Sequence, residues 1–511
     1  MKIQRYDFII LGAGTSGCYL AERLSRDSTA SILLVEAGIR SKNPMLSMPA
    51  GYTLTLFDDK YNWCFDSEPE AQLNSRSVYC PRGKLVGGSS MINGMIHSIG
   101  QSEDYDAWES DGFSLSNSQG VMSAYRELFP EGEMISRSES HPLESIFLSA
   151  CEQAGLTYAD KLHESQSTLS AGTYFNTIRD GKRNGVTPIL ARLHKRKNVT
   201  VMTDTLIDKL CFDNDKVCRV EAIQKGKKTI EIPVSGELVL CLGAIGTPAV
   251  LQRSGIGATE KLSQLDIDTY LDLPCGENLQ DHLLVKRTYK LSGIKTYNSD
   301  VTPTALPKTL LNYSIGKKGV FAAGASSAGA FVSVVDQERP DTQVFFSYGS
   351  VTIANKAFVA DPFDGVTIGT YQLRPESRGC VDIRSKNPLE APQIHYNYLS
   401  NERDWEVTRA GVEYQESLMR RDAFTPFKPE AMHAELSTDD YIRQFGETAH
   451  HPVGTCAVGE NGVVEGNLKV NGLRNLRIAD ASIIPRIISG NTQAVCAVIG
   501  DLVGQDMLSR S

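Results

Sequence analysis

Three glycines near the start of the chain sit at a spacing that can hold a pyrophosphate. Gly12-Ala13-Gly14-Thr15-Ser16-Gly17 fits the pattern G-x-G-x-x-G. The first glycine permits a tight turn, the second lets the phosphates approach the backbone, and the third lets the next helix pack on the strand. That helix then points free N–H groups and its positive dipole end at the phosphates. Glycine triplets recur by chance, so context decides. Here an apolar run, Tyr6–Leu11, precedes the pattern, and a second run, Ser31–Val35, ends in Glu36. Glu36 would accept hydrogen bonds from ribose hydroxyls and repel a 2′-phosphate, which disfavours NADP. The pattern predicts a dinucleotide site but does not choose FAD over NAD.

The elements around this turn read as a βαβ unit. Thr15–Arg26 has helical periodicity through Cys18, Leu20, Ala21 and Leu24. Asn198–Phe212, Val217–Ala222 and the buried run Glu237–Cys241 read as strands. So does Leu476–Ala479, ahead of a final helix. Pro142–Gly155 and Arg403–Met419 read as helices, and Ser102–Ser140 as a short helix with a mobile cover. Between Leu283 and Asp382, runs such as Thr342–Tyr348 and Gly365–Leu373 suggest an antiparallel sheet with one covered face. The fold class is therefore mixed α/β: a Rossmann-like nucleotide-binding domain with an antiparallel-sheet substrate domain. Residues 1–282 are expected to be mainly the former, with a lid at about 100–140. Residues 283–446 are expected to be mainly the latter, and residues 447–511 return to the first.

The 511 residues are 41% hydrophobic with a net charge of -9, enough for a large core. That charge gives no general attraction to nucleic acid, and the basic clusters His194–Lys197 and Lys225–Lys228 read as solvated faces. The eleven cysteines lack metal-ligand spacing. No apolar run is long enough to span a bilayer, and the first strand leaves no room for a signal peptide. The expected location is the cytoplasm, with peripheral association at the inner face of the membrane left open.

Further blocks carry a family resemblance. Pro81-Arg82-Gly83-Lys84-Leu85-Val86-Gly87-Gly88-Ser89-Ser90-Met91-Ile92-Asn93-Gly94 resembles the first signature of the glucose–methanol–choline (GMC) oxidoreductases. Gly243–Pro248, continuing to Ser254–Gly257, resembles the second. Gly276–His282, His451–Cys456 and Leu476–Pro485 are similar to other shared stretches. The spacing looks most like the choline dehydrogenase and aliphatic alcohol dehydrogenase branch.

The resemblance implies FAD. Gly12, Gly14, Thr15 and Ser16 would hold the pyrophosphate, and Glu36 with Ala37 the adenosine ribose. Arg82, Gly87, Gly88, Asn93, Gly94, Met95 and Ile96 would line the flavin and ribityl chain. Ile207 matches the position whose backbone reads the adenine edge. Gly243, Asp480, Ala481, Asn491 and Thr492 complete the implied cofactor set. Some relatives attach FAD through a histidine where this chain has Ile92, so noncovalent FAD is expected.

The resemblance also implies a catalytic pair. His451 stands where similar proteins place their catalytic histidine, and Asn491 matches a position that is His or Asn in the family. His451 would accept the hydroxyl proton of an alcohol, and Asn491 would donate a hydrogen bond to the same oxygen. An imidazole suits this, because its ordinary pKa of about 6.5 lies near working pH. His450 reads as a core neighbour, His282 as structural, and His97 as a residue facing the cavity. The expected substrate is a small neutral alcohol on an aliphatic or aromatic skeleton. The electron acceptor, whether oxygen, a quinone or another carrier, stays open. The alternatives are a non-redox lyase of hydroxynitrile lyase type and a flavin-binding protein without turnover.

Overall fold

The computed structural model describes residues 5–510 apart from positions 28, 116 and 337. Its first strand, Phe8–Leu11, is the centre of a five-stranded sheet. Ile32–Val35 and then Val199–Met202 lie to one side, Glu237–Leu240 and then Leu476–Ile478 to the other, all parallel. Phe8–Leu11 and Ile32–Val35 are buried along their whole length, as expected where helices cover both faces. Burying each such Ile or Leu contributes roughly 1.5–3 kcal/mol. The helix Thr15–Leu24 packs against the C-terminal helix Gln493–Arg510. Elements from the two ends of the sequence thus pack together beside this sheet.

The stretch expected as one run, Asn198–Phe212, is two strands in different sheets. Asp204 turns the chain with φ of 54°. Val199–Met202 joins the parallel sheet, and Thr205–Asp213 starts a three-stranded antiparallel sheet with Lys216–Gln224 and Lys228–Pro233. The lid expected at about 100–140 is instead built from two helices, Ser102–Ser110 and Ser118–Leu128. Tyr105, Trp108 and Tyr125 anchor them in the main core. Most of its polar residues occupy the outer faces, while Asp104 is buried and accepts from Ser489.

The large mixed sheet has eight strands. Ala328–Val332, Thr342–Ser347, Gly365–Gln372 and Leu283–Lys290 run antiparallel through its middle. Ser170–Thr173 and Thr157–Tyr158 extend it, so part of the first 282 residues belongs to this layer. The expectation of a single covered face fails here. Val344, Phe346 and Ile368 share a core cluster with Phe147 and Leu418, from the helices Pro142–Gln153 and Glu402–Met419. The opposite face, bearing Gln343, Phe345, Ser347, Thr367 and Tyr371, roofs a cavity over the parallel sheet.

Candidate active site

Ligands of open parallel sheets bind outside the carboxyl ends of the strands, where the strand order reverses. Here that point lies between Phe8–Leu11 and Glu237–Leu240, and a cavity of about 940 Å³ opens there. Gly12, Gly14, Thr15, Ser16, Glu36 and Ala37 line it from the first strands. Arg82, Gly88, Asn93, Gly94, Met95 and Ile96 line it from the glycine-rich loop. Ile207, Gly243, Asp480, Ala481, Thr492, His451 and Asn491 line it as well. Gly87 does not. Its N–H donates to the Ala13 carbonyl at 2.7 Å, which ties the two glycine loops together.

Two glycines are needed for shape. Gly12 has φ of 106°, and a Cβ there would lie 2.2 Å from the Cys241 carbonyl oxygen. Gly88 has φ of 55°, and its Cβ would fall 2.7 Å from the Gly14 Cα. In front of Gly14 a Cβ would meet nothing within 4 Å. The Gln493 amide and the Asn491 Oδ1 atom line the same cavity, buried and without a hydrogen-bond partner in the protein. Open space before a glycine loop, with orphaned polar groups beyond it, fits an elongated polar cofactor such as FAD.

Not every implied residue offers its side chain. The Glu36 carboxylate accepts from the Ala13 N–H at 3.0 Å and the Gly38 N–H at 2.9 Å, which leaves each oxygen one further acceptor position. Burial pushes its pKa up to about 7. The Asp480 carboxylate is more fully engaged. It accepts from the Gly243 N–H, the Thr247 hydroxyl, the Ser482 N–H and the Ser482 hydroxyl, all within 2.9 Å. Its role is to fasten the end of the last strand to the helix Gly243–Arg253. Arg82 donates to the His450 carbonyl at 2.7 Å and so holds the histidine loop. Asn93 Oδ1 accepts from Arg183 at 2.5 Å. Arg183 is buried and was missed in the sequence, where an arginine outside any motif reads as surface.

His451 and Asn491 meet at the cavity. Asn491 Nδ2 lies 3.1 Å from His451 Nε2. His451 Nδ1 lies 2.9 Å from Nδ1 of His282, whose Nε2 lies 3.0 Å from the Leu373 carbonyl oxygen. A carbonyl only accepts, so His282 carries its proton on Nε2 and its Nδ1 accepts. His451 must then donate from Nδ1. Its Nε2 is left with the lone pair, accepting from the Asn491 amide. Tyr371 stacks on His282 with ring centroids 4.6 Å apart. The buried Asp281 carboxylate accepts from the His451 backbone N–H at 2.7 Å and the Tyr398 hydroxyl at 2.6 Å, and from Thr448. Burial, with help from neighbouring His282, His450 and Arg82, holds the His451 pKa well below 6.5. Burial also brings His282 down to about 4. Both rings are neutral at pH 7.

The other histidines divide. His450 lines the cavity, but its backbone is left-handed, with φ of 69°, and its ring has no direct bond to His451. The expectation that His97 faces the cavity is wrong. It is buried between Tyr125 and Phe129, with centroids 5.3 and 4.6 Å away, because the helices at 102–128 fold over it.

The chain is similar to known proteins over nearly its whole length. An alcohol dehydrogenase [acceptor] of Pseudomonas putida is 33% identical, over 97% of this chain and 94% of that protein. An oxygen-dependent choline dehydrogenase of Shigella flexneri serotype 5b is 32% identical, over 99% and 97%. The crystal structure of pyridoxine 4-oxidase from Mesorbium loti superposes with a TM-score of 0.87 at 26% identity, covering 99% of both chains. Formate oxidase, at 22% identity and a TM-score of 0.92, shows the shared fold over 99% of this chain and 98% of that one. The GMC oxidoreductase family models match residues 6–284 and 375–500. The chain belongs to the GMC oxidoreductases and is an FAD-dependent enzyme.

Proposed function

We propose that this enzyme oxidises a small neutral alcohol to an aldehyde or ketone, with His451 as base and Asn491 as its partner on the substrate oxygen. One observation carries the reading. His451 Nε2, unprotonated by the hydrogen-bond chain behind it, faces the cavity 3.1 Å from the Asn491 amide. An alcohol oxygen that displaces this hydrogen bond would give its proton to Nε2 and accept a hydrogen bond from Nδ2. Proton and hydride leave the same carbinol unit, so the base lowers the barrier by letting alkoxide character develop. FAD, when bound, supplies the acceptor for that hydride. The sheet face bearing Phe345, Thr367 and Tyr371 would hold the carbon skeleton and exclude water.

Gly14, Thr15 and Ser16 would hold the pyrophosphate, Glu36 and Ala37 the ribose, and Gly88 to Ile96 the flavin and ribityl chain. FAD would be bound noncovalently, because Ile92 is an aliphatic side chain packed with Leu46, Leu56, Tyr61 and Leu85. The nucleotide-binding unit would comprise the parallel sheet with its flanking helices, and the substrate unit the eight-stranded sheet. The eleven cysteines are all free thiols, which suits a reducing cytoplasm. No helix among the described residues is long and apolar enough to cross a membrane.

The relatives named above include an alcohol dehydrogenase and a choline dehydrogenase, which favour oxidation over the lyase alternative. A panel of alcohols mixed anaerobically with the holoenzyme tests it. Bleaching of the flavin by one class of neutral alcohol is expected. Cyanide release from cyanohydrins without bleaching would instead establish the lyase. Reoxidation with oxygen, dye or quinone then identifies the acceptor.

A further inference from the structure

A short hairpin pairs Ile178–Arg179 with Lys182–Arg183. It turns on Asp180 and Gly181, both left-handed, with φ of 49° and 61°. A two-residue turn of this kind fixes the register of its strands. Side chains alternate between faces along a strand. Lys182 therefore points to solvent and Arg183 inward, opposite buried Ile178. The result is a guanidinium 3% exposed, directly behind the glycine-rich loop.

Arg183 Nη1 donates to the Ser90 and Asn93 carbonyl oxygens at 3.2 and 2.9 Å, and to Asn93 Oδ1 at 2.5 Å. Its Nε and Nη2 are shielded from solvent and have no hydrogen-bond partner in the protein. Among the described residues, the ionisable group that acts on it is the Tyr52 hydroxyl and not a carboxylate. Asp180 and Lys182, its charged neighbours in sequence, are exposed. Burial lowers the Arg183 pKa to about 9, so the group is still a cation at pH 7.

Taking a charge out of water costs free energy that an opposite charge must offset. Two other arginines are buried as deeply among the described residues, and the protein supplies that charge to both. Arg287 meets Glu416, and Arg477 meets Glu237 and Asp506. The cations that line the cavity have partners too. Arg82 acts on Asp281, Lys84 lies over the Trp63 ring, Arg253 pairs with Asp208, and Lys286 pairs with Glu447. Arg183 is left uncompensated, and its acceptors belong to Ser90 and Asn93, which line the cavity.

We infer that Arg183 is the counter-charge for the negative charge that the flavin gains on reduction, acting from behind Asn93 without touching substrate. The inference rests on the reading that Gly88 to Ile96 lines the flavin. Hydride transfer breaks the carbinol C–H bond and forms a bond to the flavin, which ends with one more negative charge. The hydroxyl proton goes to His451 Nε2. A fixed cation in a dry site favours that charged state and needs no reorganisation to do so.

The test is the midpoint potential of the FAD-loaded enzyme, titrated with a chemical reductant against a reference dye. No alcohol is present, so the outcome is independent of the catalytic reading. Arg183→Met keeps the bulk and Arg183→Gln keeps a hydrogen-bond donor, but neither keeps the charge. Each should disfavour the reduced flavin at least tenfold, about 30 mV more negative for a two-electron couple. Arg183→Lys keeps the charge and should restore at least half of that shift. No shift in Met and Gln variants that hold FAD, or an equal shift in all three, would overturn the proposal. Loss of FAD from both uncharged variants would also overturn it, by making Arg183 a strut of the loop. Weaker FAD binding at an unchanged potential would assign the charge to the pyrophosphate instead. Asn93→Asp separates the inference from the reading beneath it, because a carboxylate beside the flavin must lower the potential. A shift with Asn93→Asp but not with Arg183→Met sinks the role of Arg183 alone. A shift with neither sinks the placement of the flavin on this loop, and the inference with it.

Discussion

His282 and His451 share a hydrogen bond between their two Nδ1 atoms, 2.9 Å apart, and only one proton fits in it. The Leu373 carbonyl assigns that proton to His451, because it occupies the only N–H of a neutral His282. A backbone carbonyl therefore decides, through two rings, that the cavity-side Nε2 of His451 carries a lone pair.

His282 is a positioning residue, and substitution separates that role from packing. His282→Leu removes the acceptor and frees His451 to take the other tautomer. The limiting rate of flavin reduction should fall roughly 10–10²-fold, the size typical for loss of an orienting partner, with little change in substrate Kd. His282→Asn places an amide oxygen near the old Nδ1 position and should restore most of the rate. Equal losses in both variants would show that His282 only fills space.

The acid limb of the pH profile should lie low. Protonating His451 would remove the proposed base, and burial, helped by the neighbouring His282, His450 and Arg82, holds its pKa well below 6.5. The rate of flavin reduction should therefore be flat from pH 7 down through pH 6.5 and fall only below it. A limb centred at or above pH 7 would contradict a neutral, buried His451.

Asp480 should matter first to stability. Asp480→Ala leaves two N–H groups and two hydroxyls without their acceptor in a buried site. Desolvation of the lost charge offsets part of this, and the expected cost is about 2–4 kcal/mol. Urea unfolding of the flavin-free protein measures it. A cost under about 0.5 kcal/mol would show that those donors find other partners.

The flavin should leave with the denatured protein's supernatant. Acid precipitation of the holoenzyme is expected to release all of the yellow colour, because Ile92 offers no nucleophile. Colour retained in the washed pellet would demonstrate a covalent link elsewhere in the cavity.

The glycine fingerprint was legible because Gly12 and Gly17 have no room for a Cβ, Gly12 against Cys241 with its φ of 106° and Gly17 against Gly12, while the space before Gly14 stays open. His451 and Asn491, forty residues apart, were legible only through resemblance, since no local pattern says that two loops will meet. The same limit hid the part played by His282. Its bond to His451 joins positions 169 residues apart, and its tautomer depends on a backbone carbonyl that carries no sequence signal. The supposed lid at 100–140 failed for a different reason. Its polar composition was real, but Tyr105, Trp108 and Tyr125 recur on the inner faces of its two helices and hold them in the core. Asn198–Phe212 looked continuous because β-propensity does not register a single left-handed residue such as Asp204.

The most direct test of the central claim is anaerobic stopped-flow reduction of the flavin by the best alcohol, comparing wild type with His451→Ala. Loss of a general base typically costs 10²–10⁴-fold, and a fall of about that size in the limiting rate is predicted, with bound FAD and its spectrum retained. A variant that reduces its flavin at near the wild-type rate would contradict the assignment of His451 as the base.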